Sequence, residues 1–198
     1  MQPLLALAAD LASGKTTSQA VVEQALARGA DPGGEGARVF LRHYTESAQA
    51  VAAASDRLRS HGMVASPLAG VPVSIKDLFD VEGEVTRAGS KVRDDAAPAL
   101  ADAAVVQRFR RAGAVIIGRT NTVEFAFSGL GLNPHYGTPA NPWDRATGRI
   151  PGGSSCGAAV SVADGMAAVG IGSDTGGSVR IPAALCGLTG FKPTARRI

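Results

Sequence analysis

The chain has 198 residues, 45% of them apolar and 19% charged, with a net charge of +3. That composition suits one globular domain with a buried core. Lysine and arginine are scattered without interleaved aromatics, which argues against a nucleic-acid groove.

Residues 3–12 and 17–29 read as two short helices; Gly14 stops the first, and Thr17 or Ser18 caps the second. A loop over 29–37 leads to a longer helix through 44–62, ended by Gly62. A β-branched run over 71–75 predicts a strand. An amphipathic helix over 102–113, closed by Gly113, precedes a short buried strand, "AVIIGRT", and this alternation is the α/β rhythm. From residue 128 glycine, proline and asparagine predict mostly loop. A small-residue helix over 156–166, a short buried strand within 167–174 and a helix opening within 176–187 complete the chain.

Cys156 and Cys186 make no disulfide framework, and His43, His61 and His135 stand apart from them, so no metal site is expected. No apolar run is long enough to span a bilayer. The first apolar run has no preceding Lys or Arg, so no signal peptide is read and a reduced, cytoplasmic setting is expected.

Three motifs compete for the chemistry. "SGKTT" at 13–17 lacks the glycine that a phosphate loop needs five residues before Gly14, since position 9 is alanine. "GSSCG" at 153–157 fits a nucleophile elbow centred on Ser155, but a Pro/Gly loop precedes it where a strand is required, and no histidine follows. The third reading joins separated places. Ser178 lies in "DTGGS", where the backbone N–H groups of Thr175, Gly176, Gly177 and Ser178 can converge on an oxyanion. A serine needs a base to take its proton. Lys76, at the end of the 71–75 strand and among Val73, Ile75 and Leu78, is a candidate base if burial keeps it neutral, with Ser154 as relay.

These residues carry a resemblance. "GGSSCGAAVSVADGMAAVGIGSDTGGSVRIPAALCGLTGFKPT" resembles the signature block of the amidase signature family. "GVPVSIKD" resembles its lysine motif, and "GRTNTVEFAF" and "YGTPANPWD" resemble the stretches between. The resemblance runs from about residue 69 to the end. It implies a mixed β-sheet covered by helices on both sides, and a Ser–cis-Ser–Lys triad that hydrolyses amides. Lys76 is then the base, Ser154 the relay in a cis peptide and Ser178 the nucleophile, with no cofactor or metal. A small-molecule amide is the implied substrate, without direct nucleic-acid or membrane partners; a homodimer or partner subunits are compatible with it. Cys156 departs from the serine or glycine usual beside the relay. Family members are longer, so residues 1–198 are expected to be a catalytic domain truncated at its C-terminus. Two rival readings remain: the amidase component of a tRNA-dependent amidotransferase, and a non-catalytic remnant without a substrate pocket.

Taken singly, each residue has a plainer role. Ser178 is a turn residue, Lys76 a solvated charge and Ser154 a helix cap. Asp174 and Arg180 are expected to brace the serine loop by an ion pair, with Ser155 supporting it. Cys186 is expected in the core, His135 in a surface loop, and Trp143 as a packing anchor.

Overall fold

The computed structural model describes residues 2–195 and Arg197. Of the span 1–198 assigned from sequence, Met1, Arg196 and Ile198 lie outside the described residues.

Two helices open the chain, α1 (Leu4–Ala12) and α2 (Ser18–Ala30). The α2 start is fixed from two sides. Thr17 accepts a hydrogen bond from the Ala20 N–H at 3.1 Å, and the Asp56 carboxylate accepts from the Ser18 and Gln19 N–H groups at 2.7 and 2.9 Å. Such caps contribute about 1 kcal/mol each. A single turn, α3 (Gly36–Val39), leads into strand β1 (Phe40–His43), and α4 (Thr45–Ser60) follows.

Strand β2 (Pro72–Lys76) and strand β3 (Val115–Thr120) are buried along their whole lengths, with helix α5 (Ala104–Arg111) between them. Helix α6 (Cys156–Ala163), strand β4 (Val169–Ile171) and helix α7 (Arg180–Leu185) come last. The sheet order is β1-β3-β2-β4. β2 runs parallel to both β3 and β4, while β1 pairs antiparallel with β3. Parallel strands buried on both faces read as continuous apolar runs, as β2 and β3 do.

Alternate side chains of β3 divide the core. Val115 and Ile117 pack with Val22, Leu26, Ala48, Ala52 and Val160 from α2, α4 and α6. Ile116 packs on the other face with Leu7, Leu11 and Val106 from α1 and α5, joined by Val73 and Ile75 of β2. This is the mixed sheet covered by helices on both sides. The strands expected at 71–75 and 114–120 hold within a residue of their ends, whereas the buried strand expected over 167–174 shrinks to Val169–Ile171 and is only half-buried; β1 is new. It is short, carries Arg42 and His43 exposed, and is bonded on one side only, so no alternation marked it. The small-residue helix ends at Ala163 rather than 166, and α7 begins at Arg180, two residues later than a start directly after the glycines at 176–177.

One expectation fails in the long loop. Trp143 is 72% exposed and anchors nothing in the core. Asn141 holds the loop instead, donating from Nδ2 to the Ile150 and Leu185 carbonyls at 2.8 and 3.0 Å and accepting from the Trp143 N–H at 2.8 Å. A short amide side chain serves three backbone groups that a bulky indole cannot. Cys186 is in the core, and His135 sits in a loop with its Nε2 2.7 Å from Glu124 Oε1.

Candidate active site

Because β2 and β4 are adjacent and parallel, their C-terminal ends open on the same edge of the sheet, where α/β folds place their ligands. Lys76 closes β2; the glycine-rich serine loop leaves β4. Ile75 is paired in register with Ile171, so the loop starts beside Lys76.

Lys76 has no exposed surface. Its Nζ donates to Ser154 Oγ at 2.6 Å and to Ser173 Oγ at 2.8 Å. Burial is the largest influence on its proton affinity and brings its pKa from 10.5 down to about 8; Cys156 and Asp174 oppose that fall. The Cys156 thiol is itself pushed up to about 11 by burial, so near neutral pH it is uncharged and exerts little pull. Asp174 is the remaining anionic neighbour, and its carboxylate is already engaged by Arg180.

The residue after Lys76 secures the strand end. Asp77 pairs with Arg119 of β3 at 2.9 Å, both side chains 3% exposed or less, and accepts from the Gly89 N–H at 3.1 Å. Arg119 also donates to the Phe79 carbonyl at 2.9 Å.

Ser154 is fully buried, and the Gly153–Ser154 peptide bond is cis. Its carbonyl accepts from Thr122 Oγ1 at 2.9 Å and from the Val123 N–H at 3.1 Å. Ser155 stands at the N-cap position of α6 without making a side-chain cap bond. No strand ends at Ser155; β3 stops at Thr120 and loop intervenes. The Ser155 N–H donates instead to the Ser178 carbonyl at 3.2 Å, tying the α6 start to the serine loop.

In that loop Asp174 acts as the brace. Its carboxylate accepts from the Val179 and Arg180 N–H groups, both at 3.2 Å, and from the Arg180 guanidinium at two 2.9 Å bonds. Arg180 foremost holds the Asp174 carboxyl well below the usual carboxylate range. Gly177, at φ +135°, turns the chain where an L side chain is strained, and an added Cβ would meet Ile181 Cδ1 at 2.7 Å. Among the described residues, the N–H groups of Thr175, Gly176, Gly177 and Ser178 donate to no protein acceptor. Ser178 itself is half-buried.

Of the residues singled out from sequence, Lys76 and Ser154 are therefore hydrogen-bonded, and Ser155 joins Ser178 through the backbone. Among the described residues no side-chain hydrogen bond links Ser154 to Ser178. Sequence reasoning missed Ser173 and Thr122. Ser173 lies two residues beyond β4, and only the β2–β4 register puts it beside Lys76. Thr122 gave no signal, because its contact crosses from the β3 end to the residue-154 turn.

Parallel strands that deliver a buried lysine and a glycine-rich serine loop to one edge define an α/β protein with a candidate site at its strand ends. The chain belongs to the amidase family, whose family model, described as Amidase, matches residues 22–198. It is 48% identical over 189 residues to AtzE, a component of the 1-carboxybiuret hydrolase of Pseudomonas sp. (strain ADP), covering 95% of this chain and 40% of that protein. It is 43% identical over 190 residues to a component of the glutamyl-tRNA(Gln) amidotransferase of Chloroflexus aggregans, covering 95% of this chain and 38% of that protein. Among solved structures, a peptide amidase bound to the competitive inhibitor chymostatin superposes with a TM-score of 0.84 at 36% identity, over 98% of this chain and 40% of that one. The chain thus spans about 40% of the length of these relatives. Among the described residues no helix is long and apolar enough to cross a membrane.

Proposed function

We propose that the protein is an amidase that cleaves a small-molecule carboxylic amide through an acyl-enzyme on Ser178. The carrying observation is the 2.6 Å bond between Ser154 Oγ and a wholly buried Lys76. Burial leaves an appreciable fraction of Lys76 neutral near neutral pH, which a proton acceptor requires.

Ser178 Oγ attacks the amide carbonyl carbon, and its proton passes through Ser154 to Lys76. The N–H groups of Thr175 to Ser178, without protein acceptors among the described residues, hold the oxyanion, which is the largest electrostatic contribution expected of such a site. The C–N bond then breaks as Lys76, through Ser154, returns the proton to the leaving amine. Water adds to the acyl-enzyme by the same relay, releasing the acid and restoring the Ser178 hydroxyl. For this, Ser178 Oγ turns onto Ser154 when substrate binds, since catalytic contacts commonly tighten only in the complex.

The similarity to an amidotransferase component supports a second reading with the same chemistry, in which ammonia goes to an acceptor on a partner protein rather than to solvent. Both readings are tested by labelling with a fluorophosphonate and locating the adduct by mass spectrometry. An adduct on Ser178, absent in Ser178→Ala, supports them. An adduct on Ser155 sinks the assignment, and no adduct at all favours a non-catalytic remnant. Ammonia release without any partner separates the hydrolase from the transferase.

A further inference from the structure

Among the described residues the Lys76 side chain makes two hydrogen bonds, and the proposed relay uses one. The second runs from Nζ to Ser173 Oγ at 2.8 Å. A neutral amine has two N–H donors and one lone pair, and the lone pair must face Ser154 if Lys76 is to accept the relayed proton. On a side chain with a flexible four-carbon stem nothing intrinsic ensures this. A hydroxyl fixed on another side of Nζ does, because it takes an N–H and thereby turns the lone pair toward the remaining partner.

We infer that Ser173 is a positioning residue that accepts a Lys76 N–H and so directs the Lys76 lone pair at Ser154. The inference rests on the reading of Lys76 as the base.

The protein holds Ser173 in place for this role. Its peptide follows β4 by two residues, and β4 is bonded to β2 in the register that pairs Ile75 with Ile171. Gly172 lets the chain press against α6: a Cβ there would lie 2.5 Å from Ser155 Oγ and 3.0 Å from Val179 Cγ2. A side chain at 172 would press on Ser155 and Val179, so glycine eases this approach. The Ser173 carbonyl faces the Ser155 hydroxyl at 3.5 Å, a long contact that adds little by itself.

Ser173 also affects the charge on Lys76. As an acceptor it favours the ammonium, opposing the burial that lowers the pKa to about 8. The titratable groups facing Lys76 are Cys156 from α6 and Asp174 from the loop after β4. From β3, the residue in register with Lys76 is the uncharged Thr120, while Arg119 is paired with Asp77. Arg180 of α7 is engaged by Asp174. None of these groups changes when Ser173 loses its hydroxyl, so a shift in Lys76 titration reports on Ser173 alone.

The experiment measures the pH dependence of Lys76 acetylation by acetic anhydride, read by mass spectrometry, in the full protein and in Ser173→Ala and Ser173→Thr. Hydrogen bonds to charged groups are strong enough to move a pKa by about one unit. The Ala variant is expected to titrate about one unit lower than the parent and the Thr variant at the parental value. Turnover at saturating substrate should fall about tenfold in Ser173→Ala with KM unchanged, and recover in Ser173→Thr. If Ser173→Ala does not fold, Ser173→Val against Ser173→Thr gives the same comparison at constant shape. Unchanged Lys76 titration on loss of the hydroxyl overturns the inference. Failure of the underlying mechanism looks different: Lys76→Ala or Ser154→Ala would retain hydrolysis, whatever Ser173 does to the titration.

Discussion

The two halves of the site are built oppositely. Lys76 and Ser154 are fully buried, held by strand pairing and by the hydrogen bonds that converge on Lys76 Nζ. The serine loop is open: Thr175 and Gly176 are exposed, and four consecutive N–H groups have no protein partner among the described residues. On the proposed mechanism, the difference follows from what each half must do. Lowering the proton affinity of a lysine requires the exclusion of water. Stabilising a transient negative charge requires donors that are aimed but unspent. Burial would waste the second half, and exposure would disable the first.

The sharpest way to break this comparison is at Lys76. Lys76→Met should lower the rate of Ser178 acylation by about 10³-fold or more, in line with the loss of a proton acceptor from a nucleophile. The same change should raise stability at pH 7 by about 2 kcal/mol, because a buried charge is removed. The parental protein should show the matching pH dependence. Its Lys76 pKa is lowered from 10.5 to about 8, so in that window the unfolded chain binds more protons and stability rises with pH. Acylation should rise as pH passes through about 8. Chemical denaturation at several pH values, beside fluorophosphonate labelling rates, checks all three.

Next in size is the pair that secures the end of β2. Arg119→Ala leaves Asp77 buried and unpaired and should cost about 3–5 kcal/mol in urea denaturation. On the open side, Asp174→Asn should cost about tenfold in acylation rate by loosening the N–H groups it braces, with a smaller loss of stability. In the parental protein Arg180 holds the Asp174 carboxyl well below the usual carboxylate range, so its contribution to stability is complete above pH about 4 and declines progressively as pH falls from there toward that lowered value. Labelling after brief acid exposure tests that order. The smallest effect is expected at Trp143→Ala, within about 0.5 kcal/mol, because the indole is exposed.

The same contrast decides what could be read from the sequence. The buried half was legible in outline: β-branched runs gave β2 and β3, and the site residues rested on motifs that resemble a known family. The Asp174–Arg180 ion pair was legible because its members sit six residues apart in one loop. Ser173 was not, since its hydroxyl differs from any loop serine only through a register that joins it to a lysine 97 residues away. Strand β1 was hidden by its brevity and its polar half. Trp143 misled for a general reason: a large apolar residue suggests burial, yet single exposed ones are common, and a neighbouring asparagine had already satisfied the loop.

The parallel pairing of β2 with β4 has a consequence for how such a protein can change. The spacing between the proton acceptor and the serine loop is set by backbone bonds, which tolerate any side chain that fits the sheet. The loops that leave these strand ends need not touch those bonds. On the proposed function, a lineage can therefore exchange such loops while the spacing between Lys76 and the serine loop is kept. The same separation makes this edge of the sheet a chassis for engineering, where loops are redrawn and the spacing of the chemistry is left to the strands.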